Sequence, residues 1–343
     1  MEFDDRKLKI LHAIINDYIS TGEPVGSRTI ARKYDLGVSS ATIRNEMADL
    51  EEMGYIEQLH TSSGRKPSDK GYRLYVDKLM KAHQITAEEE LFIRSMLLNA
   101  ALFEVDKIMR QVSVVLSKLT HLTCVVKTPS VKKSCLKTIQ LINIDVGSIL
   151  MVIVTDSGII KNNIIRINRP IDSDMLLKLN NMLNARLKNL TMEGINLEVI
   201  NNIKKDLHGY DDIFNEMIPA LYDCLNEVEN SDVITEGETN ILRYAEYSDI
   251  DKAKEFITFV DNKESVKKIL PATKNTTVSI GEENYIPEAK DYSVVARAYC
   301  VGDKPLGTIG IIGPTRMDYS KVISLLNKVT ELLNKNLTSF DDW

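Results

Sequence analysis

The sequence predicts a multidomain α+β protein, in which a small helical domain precedes a sheet domain that is interrupted by a helical block. In the first eighty residues, three stretches with helical periodicity lead into a short alternating stretch and a basic loop that contains glycine. Farther on, strand-like segments at 123–167 give way to helical periodicity at about 172–272, and strand-like segments return at 276–312. At 343 residues the chain is long enough for two or three units with separate cores.

Composition narrows the class of protein. Hydrophobic residues make up 43% of the chain and charged residues 27%, which is typical of a globular protein. No apolar run approaches the ~20 residues that a membrane span needs, and the charged N-terminus lacks the apolar core of a secretory signal. We therefore expect a cytoplasmic protein with no membrane partner. The four cysteines are widely spaced and form no CxxC pair, so we expect reduced structural thiols.

Motifs of enzyme chemistry are absent from the sequence. The five histidines form no HExxH pair, and there is no G-x-S-x-G segment. The glycines of GTIGIIG lack the G-x-G-x-x-G spacing, and no Walker lysine follows them. The polar residues Arg316, Asp318 and Tyr319 are explained by an internal salt bridge or a helix cap. We therefore expect no catalytic residues, no cofactor and no metal, and an enzyme is the less favoured alternative.

The chain is acidic as a whole, but one stretch of it is basic. The net charge is −6, but phosphate binding needs a local basic surface rather than a basic whole. Between residues 60 and 75, four cations face a single acid, Asp69: Arg65, Lys66, Lys70 and Arg73. This focus of positive charge predicts a nucleic-acid contact at the end of the first domain.

The helices before this basic stretch are short and end at clear signals. Apolar residues recur at helical spacing between positions 8 and 18, and Gly22 and Pro24 end that first helix. Ser27 is expected to cap a second helix over 28–34, which Gly37 closes. Either Ser39 or Ser40 can cap a third helix that runs to about residue 53.

The third helix has a face suited to DNA. Its apolar stripe should point to the core and consists of Ile43, Met47 and Leu50. The opposite face then carries Ala41, Arg44, Asn45 and Ala48. A small leading end with one guanidinium and one carboxamide suits base edges, Arg44 for guanine and Asn45 for adenine. Thr42 and the two serines lie where a helix N-terminus meets phosphate.

A strand over 55–59 and the loop TSSGRKPS follow this helix, and Ser68 begins another one. A lone Arg or Asn would indicate only a solvated helix face, but the whole series of three helices, a strand and a basic loop is typical of a winged helix-turn-helix. His60 has either a phosphate contact or a packing role. The residues that we expect on DNA are Ser39, Ser40, Ala41, Thr42, Arg44, Asn45, His60, Ser63, Arg65, Lys66 and Lys70.

Two long runs give the chain a resemblance to a known family. The runs PVGSRTIARKYDLGVSSATIRNEMADLEEMGYIEQLHTSSGRKPSDKGYRLYVD and GTIGIIGPTRMDYSKV resemble the heat-inducible transcription repressor family HrcA. The resemblance implies that the winged helix binds double-stranded DNA at an inverted-repeat operator, the CIRCE element, ahead of chaperone operons. It places the recognition segment at Ser39–Glu46 and the wing at His60–Lys66. It also implies that the GroE chaperonin maintains repressor activity, which is lost when heat diverts the chaperonin.

The same resemblance implies a domain arrangement. We expect a winged helix-turn-helix domain at 1–80, a helical linker at 81–100, a GAF-like domain formed by 101–172 and 273–343, and an inserted, mainly helical dimerisation domain at 173–272.

Apolar residues between 98 and 119 recur at steps of four and three, which fits a partner helix or, as we favour, packing on the chain's own sheet. Two copies related by a two-fold axis would read an inverted repeat as a homodimer.

Two other functions stay open. A winged-helix regulator could sense a small-molecule effector through its GAF-like domain, although no convergent polar pocket can be read from the residues. A pure interaction scaffold would show no sequence-preferring DNA binding. Operator binding across temperature, with and without chaperonin, separates these possibilities from the leading one.

Overall fold

The computed structural model describes residues 4–58, 64–99, 105–129, 134–156, 158, 160–167, 169–191, 194–226, 233–302 and 304–338. These residues form a mixed α/β structure in which three antiparallel sheets are flanked by helices. None of the described helices is long and apolar enough to cross a membrane. The mixed α and β content that the sequence predicts is therefore present.

The N-terminal unit, called the head, spans residues 4–79 as far as they are described. It consists of α1 (Asp5–Thr21), α2 (Ser27–Lys33), α3 (Ser40–Glu52), β1 (Ile56–Gln58), β2 (Arg65–Pro67) and α4 (Asp69–Leu74). A π-helical turn, Tyr75–Leu79, extends α4. The strands β1 and β2 pair antiparallel and form the ribbon. Aliphatic side chains from the three first helices and β1 fill the core, because each helix turns one apolar stripe inward.

Two helix starts are now defined. Ser39 caps α3, since its Oγ accepts a hydrogen bond from the Thr42 N–H at 3.1 Å, and Ser40 is the first residue of the helix. The expectation for Ser27 is wrong: Gly26 occupies the N-cap position of α2 without a side-chain cap, and Ser27 is already helical. Glycine is also accepted at this position, so a neighbouring serine does not fix the start.

The central unit, called the body, is built on a five-stranded sheet. Its strands are β3 (Thr123–Lys127), β7 (Val233–Glu236), β8 (Thr277–Ile280), β9 (Tyr292–Val301) and β10 (Lys304–Pro314). Their order across the sheet is β7-β3-β10-β9-β8. The long hairpin of β9 and β10 forms the centre of the sheet. The helices of the body are α5 (Ala87–Asn99), α6 (Val105–Thr120), α10 (Ile250–Asp261), α11 (Lys263–Ile269) and α12 (Tyr319–Thr338).

Alternation along the strands sends side chains to two separate cores. Cys124 and Val126 of β3 pack with the core that includes α6, α12 and the head, whereas Val125 packs with α10 and α11 on the other face. In β9, Val295 packs on the same face as Cys124 and Val126, whereas its neighbour Val294 packs on the face covered by α10 and α11. This period of two is what an extended strand imposes. One face of the sheet thus faces the head.

The apolar seam predicted at 98–119 packs within the chain. Ile108, Met109, Val112 and Leu116 of α6 are buried in the core shared with β3 and α12. The favoured reading, packing on the chain's own sheet, agrees with these contacts. Leu102 and the side chain of Leu98 lie outside the described residues.

The third unit, called the insert, is a three-stranded sheet covered by helices. The strands β4 (Leu136–Asp145), β5 (Ser148–Thr155) and β6 (Ile160–Arg166) follow each other in space as in sequence. The helices α7 (Ser173–Leu187), α8 (Leu197–Asp206) and α9 (Asp211–Asn226) share one core with the inner face of this sheet. Asn180 of α7 accepts from the Leu141 N–H at 2.7 Å and donates to the Leu141 carbonyl at 3.1 Å, and Asn184 bonds Ile139 in the same way.

This pairing differs from the predicted grouping of residues in two places. The strands at 136–166 were expected within the domain of 101–172 and 273–343, but they pair only with one another among the described strands. The helical block predicted at 173–272 is divided, because α7–α9 pack on the insert and α10–α11 on the body. Periodicity identifies strands, but tight turns and hydrogen-bond register decide which strands pair. The short strand β7 was not predicted.

Candidate nucleic-acid interface

The helix α3 presents the face that the sequence predicted. Ile43 and Leu50 are fully buried and Met47 nearly so, at the spacing of one helical stripe. The side chains opposite this stripe are exposed: Ala41, Arg44, Asn45 and Ala48. The stripe fixes the rotation of α3 about its axis, so the guanidinium and the carboxamide project from the head together.

Hydroxyl groups gather at the leading end of α3. The Ser39 and Thr42 hydroxyl oxygens are 3.0 Å apart, and Ser39 also accepts from the Thr42 N–H. A hydroxyl has one donor and two acceptor positions, so each keeps capacity for a further hydrogen bond. Ser40 is half-buried beside them. The arrangement suits a phosphate oxygen close to the helix start.

Glu46, the last residue of the predicted recognition segment, faces inward instead. Its Oε2 lies 2.8 Å from the Lys7 Nζ of α1, and the same ammonium is 2.9 Å from Asp49 Oδ2. The hydrogen bonds that Lys7 donates to Glu46 and Asp49 raise the pKa of Lys7, which therefore stays charged. Glu46 thus joins α3 to α1 and is not part of the exposed face.

The cations of the ribbon have partners within the head. Lys66 and Glu57 face each other across β1 and β2, with 2.8 Å between Lys66 Nζ and Glu57 Oε1. Arg65 Nε donates to Glu51 Oε2 of α3 at 2.8 Å. The Arg65 backbone also pairs with Val25 in both directions, which ties the ribbon to the segment before α2. The predicted positive loop is therefore locally neutralised.

Lys70 has a structural partner as well. Its Nζ donates to the Met53 carbonyl at 2.9 Å and lies 4.4 Å from the centre of the Tyr55 ring. An ammonium at this carbonyl satisfies the C-terminal end of α3 and interacts favourably with the helix dipole. Lys70 remains exposed, so a phosphate that approaches it has to share the ammonium with this helix end or replace it.

His60 and Ser63 lie outside the described residues. Arg73, part of the same basic stretch, points away from the ribbon and contacts the body at Glu283.

Arg28 and Arg32 of α2 are exposed cations that are not among the residues predicted from the sequence. Their separation of four residues was a readable signal, because it places both on one helix face, away from the buried Ile30.

The chain resembles proteins of one named family over its whole length. Residues 106–323 match the family model described as HrcA protein C terminal domain. The chain is 56% identical over 342 residues to the heat-inducible transcription repressor HrcA of Clostridium acetobutylicum, and the match covers 100% of both chains. The chain belongs to the HrcA family. The resemblance predicted from its motifs is thereby confirmed.

Other HrcA relatives give the same result. The repressor HrcA of Clostridium botulinum (strain Alaska E43 / Type E3) is 56% identical over 340 residues, covering 99% of each chain. That of Acetivibrio thermocellus is 43% identical over 341 residues, covering 98% of this chain and 97% of the relative. These HrcA proteins are named as transcription repressors, a class of protein that is not an enzyme.

A solved structure shares the fold of this HrcA-family chain. The crystal structure of a hypothetical protein at 2.2 Å resolution superimposes with a TM-score of 0.76 at 23% identity, covering 98% of this chain and 99% of that one. At this identity the likeness concerns the fold alone. It supports the arrangement of head, body and insert in one chain.

Proposed function

We propose that this chain is a heat-inducible transcription repressor that binds DNA through its head, as a winged helix-turn-helix. The observation that carries the proposal is the exposed face of α3, where Arg44 and Asn45 project beside small residues. Membership of the HrcA family supports it. An arginine and an asparagine on a helix that enters the major groove are suited to guanine and adenine, respectively.

Contacts to the DNA backbone would come from both sides of that face. Ser39, Ser40 and Thr42 at the helix start are suited to one phosphate, and Ala41 is small enough to let the helix approach. Arg65, Lys66 and Lys70 would reach phosphates beside the ribbon. Because these cations already have partners in the head, each has to exchange or share that partner on DNA. Their net contribution to affinity is therefore smaller than that of unpaired cations.

We propose further that the insert makes the homodimer through the outer face of its sheet. Ile142, Leu150 and Ile164 are directly opposite one another on β4, β5 and β6 and form one aliphatic row. Ile142 is 44% exposed and Ile164 54% exposed, whereas the inner face of the same sheet is buried under helices. A second copy of the same row is a suitable cover, because a two-fold axis brings identical surfaces together.

In this proposal the two inserts form the dimer, and in each chain a GAF-like body connects the insert to the head. The two heads would read an inverted-repeat operator of the CIRCE type ahead of chaperone operons, since operator symmetry mirrors protein symmetry. The GroE chaperonin would maintain the active fraction of a marginally stable repressor, and heat would lower that fraction. The chaperonin therefore acts on folding rather than on the DNA contact itself.

A groove in the described part of the body is a candidate place for the alternative, a small-molecule effector. This groove of about 450 Å³ lies beside α10 and is lined by residues that include Leu242, Tyr247 and Ile250. The groove opens on the surface, and Leu242 and Ile250 are 53% and 81% exposed. Ligand sites usually bury most of their ligand, so this groove does not favour a metabolite over the family's function.

The test is operator binding by the full chain. Fluorescence anisotropy should show tight binding to a labelled inverted repeat from a chaperone promoter and far weaker binding to a scrambled duplex. Heating should lower the active fraction, and added GroE chaperonin should restore it. Equal affinity for both duplexes would overturn the repressor proposal. Release of the operator by a small molecule at fixed temperature would favour the alternative.

A further inference from the structure

Among the described residues, polar contacts join the head to the body around Arg316 and around Arg73. The described residues of the head and one face of the body share a continuous apolar core, so the two units are already packed together. Apolar packing is not directional, whereas charged hydrogen bonds fix orientation. The two polar contacts, called the α1 latch and the α4 latch, are therefore candidates for setting the angle of the head.

The α1 latch is centred on Arg316, which follows β10 in the sequence GPTRMDY. Its Nη2 donates to Glu246 Oε2 at 2.9 Å, its Nε also donates to Glu246, and its Nη1 donates to the Ile19 carbonyl at 3.3 Å. The guanidinium lies 4.9 Å from the centre of the Tyr244 ring. Ile19 is in the last turn of α1, where a cation interacts favourably with the helix dipole.

A glycine makes room for this arginine. Gly22 caps the C-terminus of α1 with φ of +72°, and a Cβ at this position would lie 2.9 Å from Arg316 Cζ. The guanidinium thus fills space that another residue would take. Arg316 is only 9% exposed although it joins two units, so its position is defined on all sides.

The α4 latch is centred on Arg73. Its Nε donates to Glu283 Oε1 at 2.8 Å, and its Nη2 donates to the Val278 carbonyl at 2.6 Å. Nearby, Asp69 Oδ2 accepts from the Glu282 N–H at 3.1 Å. Gly281 has φ of +53°, and a Cβ there would lie 1.9 Å from Asp69 Oδ2, so the body approaches α4 as closely as glycine allows.

An aromatic contact lies in the same region of the head–body boundary. The rings of Tyr72 in α4 and Tyr319 in α12 are buried with their centres 5.8 Å apart. The Tyr319 hydroxyl donates to the Thr315 carbonyl at 2.5 Å and lies 2.7 Å from Ser293 Oγ. Burial raises the pKa of Tyr319, which keeps this hydroxyl protonated. Arg316 and Tyr319 thus belong to one short segment that contacts both α1 and α4.

We propose that Arg316 with Glu246, and Arg73 with Glu283, are positioning residues that fix the angle of the head and so determine the half-site spacing that the dimer reads. The inference rests on the proposed function. Half-sites are read one helical turn of DNA apart or at multiples of it, so a change in head angle misplaces the second recognition helix. Partly buried ion pairs add little net stability, and their best-supported role is to fix how two packed elements align with each other.

The experiment compares half-site and full-site binding. Arg316→Met and Arg73→Met remove the charge and keep much of the side-chain volume. Arg186→Met is the matched control, because Arg186 forms a similar two-point ion pair with Asp206 within the insert. Each full-length variant is measured by anisotropy on a single half-site, on the natural inverted repeat, and on repeats with the spacer changed by one or two base pairs.

Both latch variants should bind the natural repeat about tenfold more weakly, keep half-site affinity within about twofold, and discriminate less between spacers. The Arg186→Met control should behave as the parent protein. As a second variant, Arg73→Glu should reproduce the loss, and Arg73→Glu with Glu283→Arg should restore the spacer preference. Restoration distinguishes positioning from a general loss of folding.

Two results would overturn the inference: an unchanged spacer preference in the latch variants, or an equal loss on the half-site and on the full repeat. If the parent protein itself shows no preference for the inverted repeat over scrambled DNA, the proposed function fails instead. The half-site measurement therefore keeps the two failures distinct.

Discussion

Lys66 Nζ lies 2.8 Å from Glu57 Oε1, directly across the ribbon. A phosphate that approaches Lys66 has to compete with a carboxylate that is already in place. The ion pair is half-exposed on the glutamate side, so it is weak enough to be exchanged. In the proposed complex, the affinity of the ribbon for DNA would therefore depend on Glu57 as well as on Lys66.

The first prediction concerns this pair. Glu57→Gln should strengthen binding to any DNA sequence at low salt, because it removes the competing carboxylate. Lys66→Ala should weaken binding to every sequence and reduce the slope of log K against log salt by about 0.9. Titrations at several salt concentrations measure both effects. An unchanged slope in Lys66→Ala would remove this lysine from the set of phosphate contacts.

The second prediction concerns base reading. Arg44→Ala should cost about 1–3 kcal/mol on the correct operator and relax specificity at one base pair. Asn45→Ala should act in the same way at a different base pair. Competition with operators that carry single base changes gives the measurement. A loss of equal size on every sequence would instead indicate a phosphate contact.

The third prediction concerns the dimer. Leu150→Asp places a charge in the middle of the aliphatic row on the insert and should give monomers where the proposed dimer forms through this row, because a buried unpaired charge is costly. Leu197→Asp is the matched control, since Leu197 is 80% exposed on a helix of the same insert, away from that row. Sedimentation velocity measures the oligomeric state. Dimers that persist in Leu150→Asp would exclude this face.

The fourth prediction concerns acid. Burial alone would raise the pKa of Glu283, but hydrogen bonds from Arg73 and from the Ile280 N–H outweigh it and hold the pKa below the ordinary value. A lowered pKa in the folded state stabilises the fold at neutral pH, and this contribution is lost as the pH falls through the lowered value. Glu283→Gln should therefore cost about 0.5–1 kcal/mol near pH 7, since Glu283 is partly exposed.

The cost of Glu283→Gln should begin to shrink as the pH falls below the ordinary glutamate pKa of 4.5, and it should disappear below the lowered pKa of folded Glu283. Burial raises the pKa of the neighbouring Asp69, and the charge of Glu283 raises it further, so the difference between variant and parent reports on Glu283 together with its effect on Asp69. Urea unfolding at neutral and acid pH gives the two free energies. A cost that is independent of pH would contradict an ionic role.

The parts of the molecule that could be predicted from sequence are those fixed by local pattern. The stripe of Ile43, Met47 and Leu50 determined the buried side of α3, and therefore the exposure of Arg44 and Asn45. The internal salt bridge that was expected for Arg316 is also present, with Glu246 as its partner.

Long-range pairing could not be predicted in this way. Arg73 and Glu283 are separated by 210 positions, and no periodicity connects them. The basic ribbon was predicted from its cations alone, because the acids that neutralise them belong to neighbouring elements, as Glu51 of α3 does for Arg65. The strands β4–β6 were predicted as strands, but their separation from the central sheet follows from register, which a single sequence does not specify.

The asparagines of α7 have a consequence for heating. Asn180 and Asn184 bond backbone groups of Leu141 and Ile139 that point away from β5, so the side chains of α7 cover the middle of the free edge of β4. An open edge is a template for pairing with another chain. Detachment of α7 on warming would make the middle of β4 such a template. Aggregation of the heated protein should then begin at this strand, and α7 is the element that delays it.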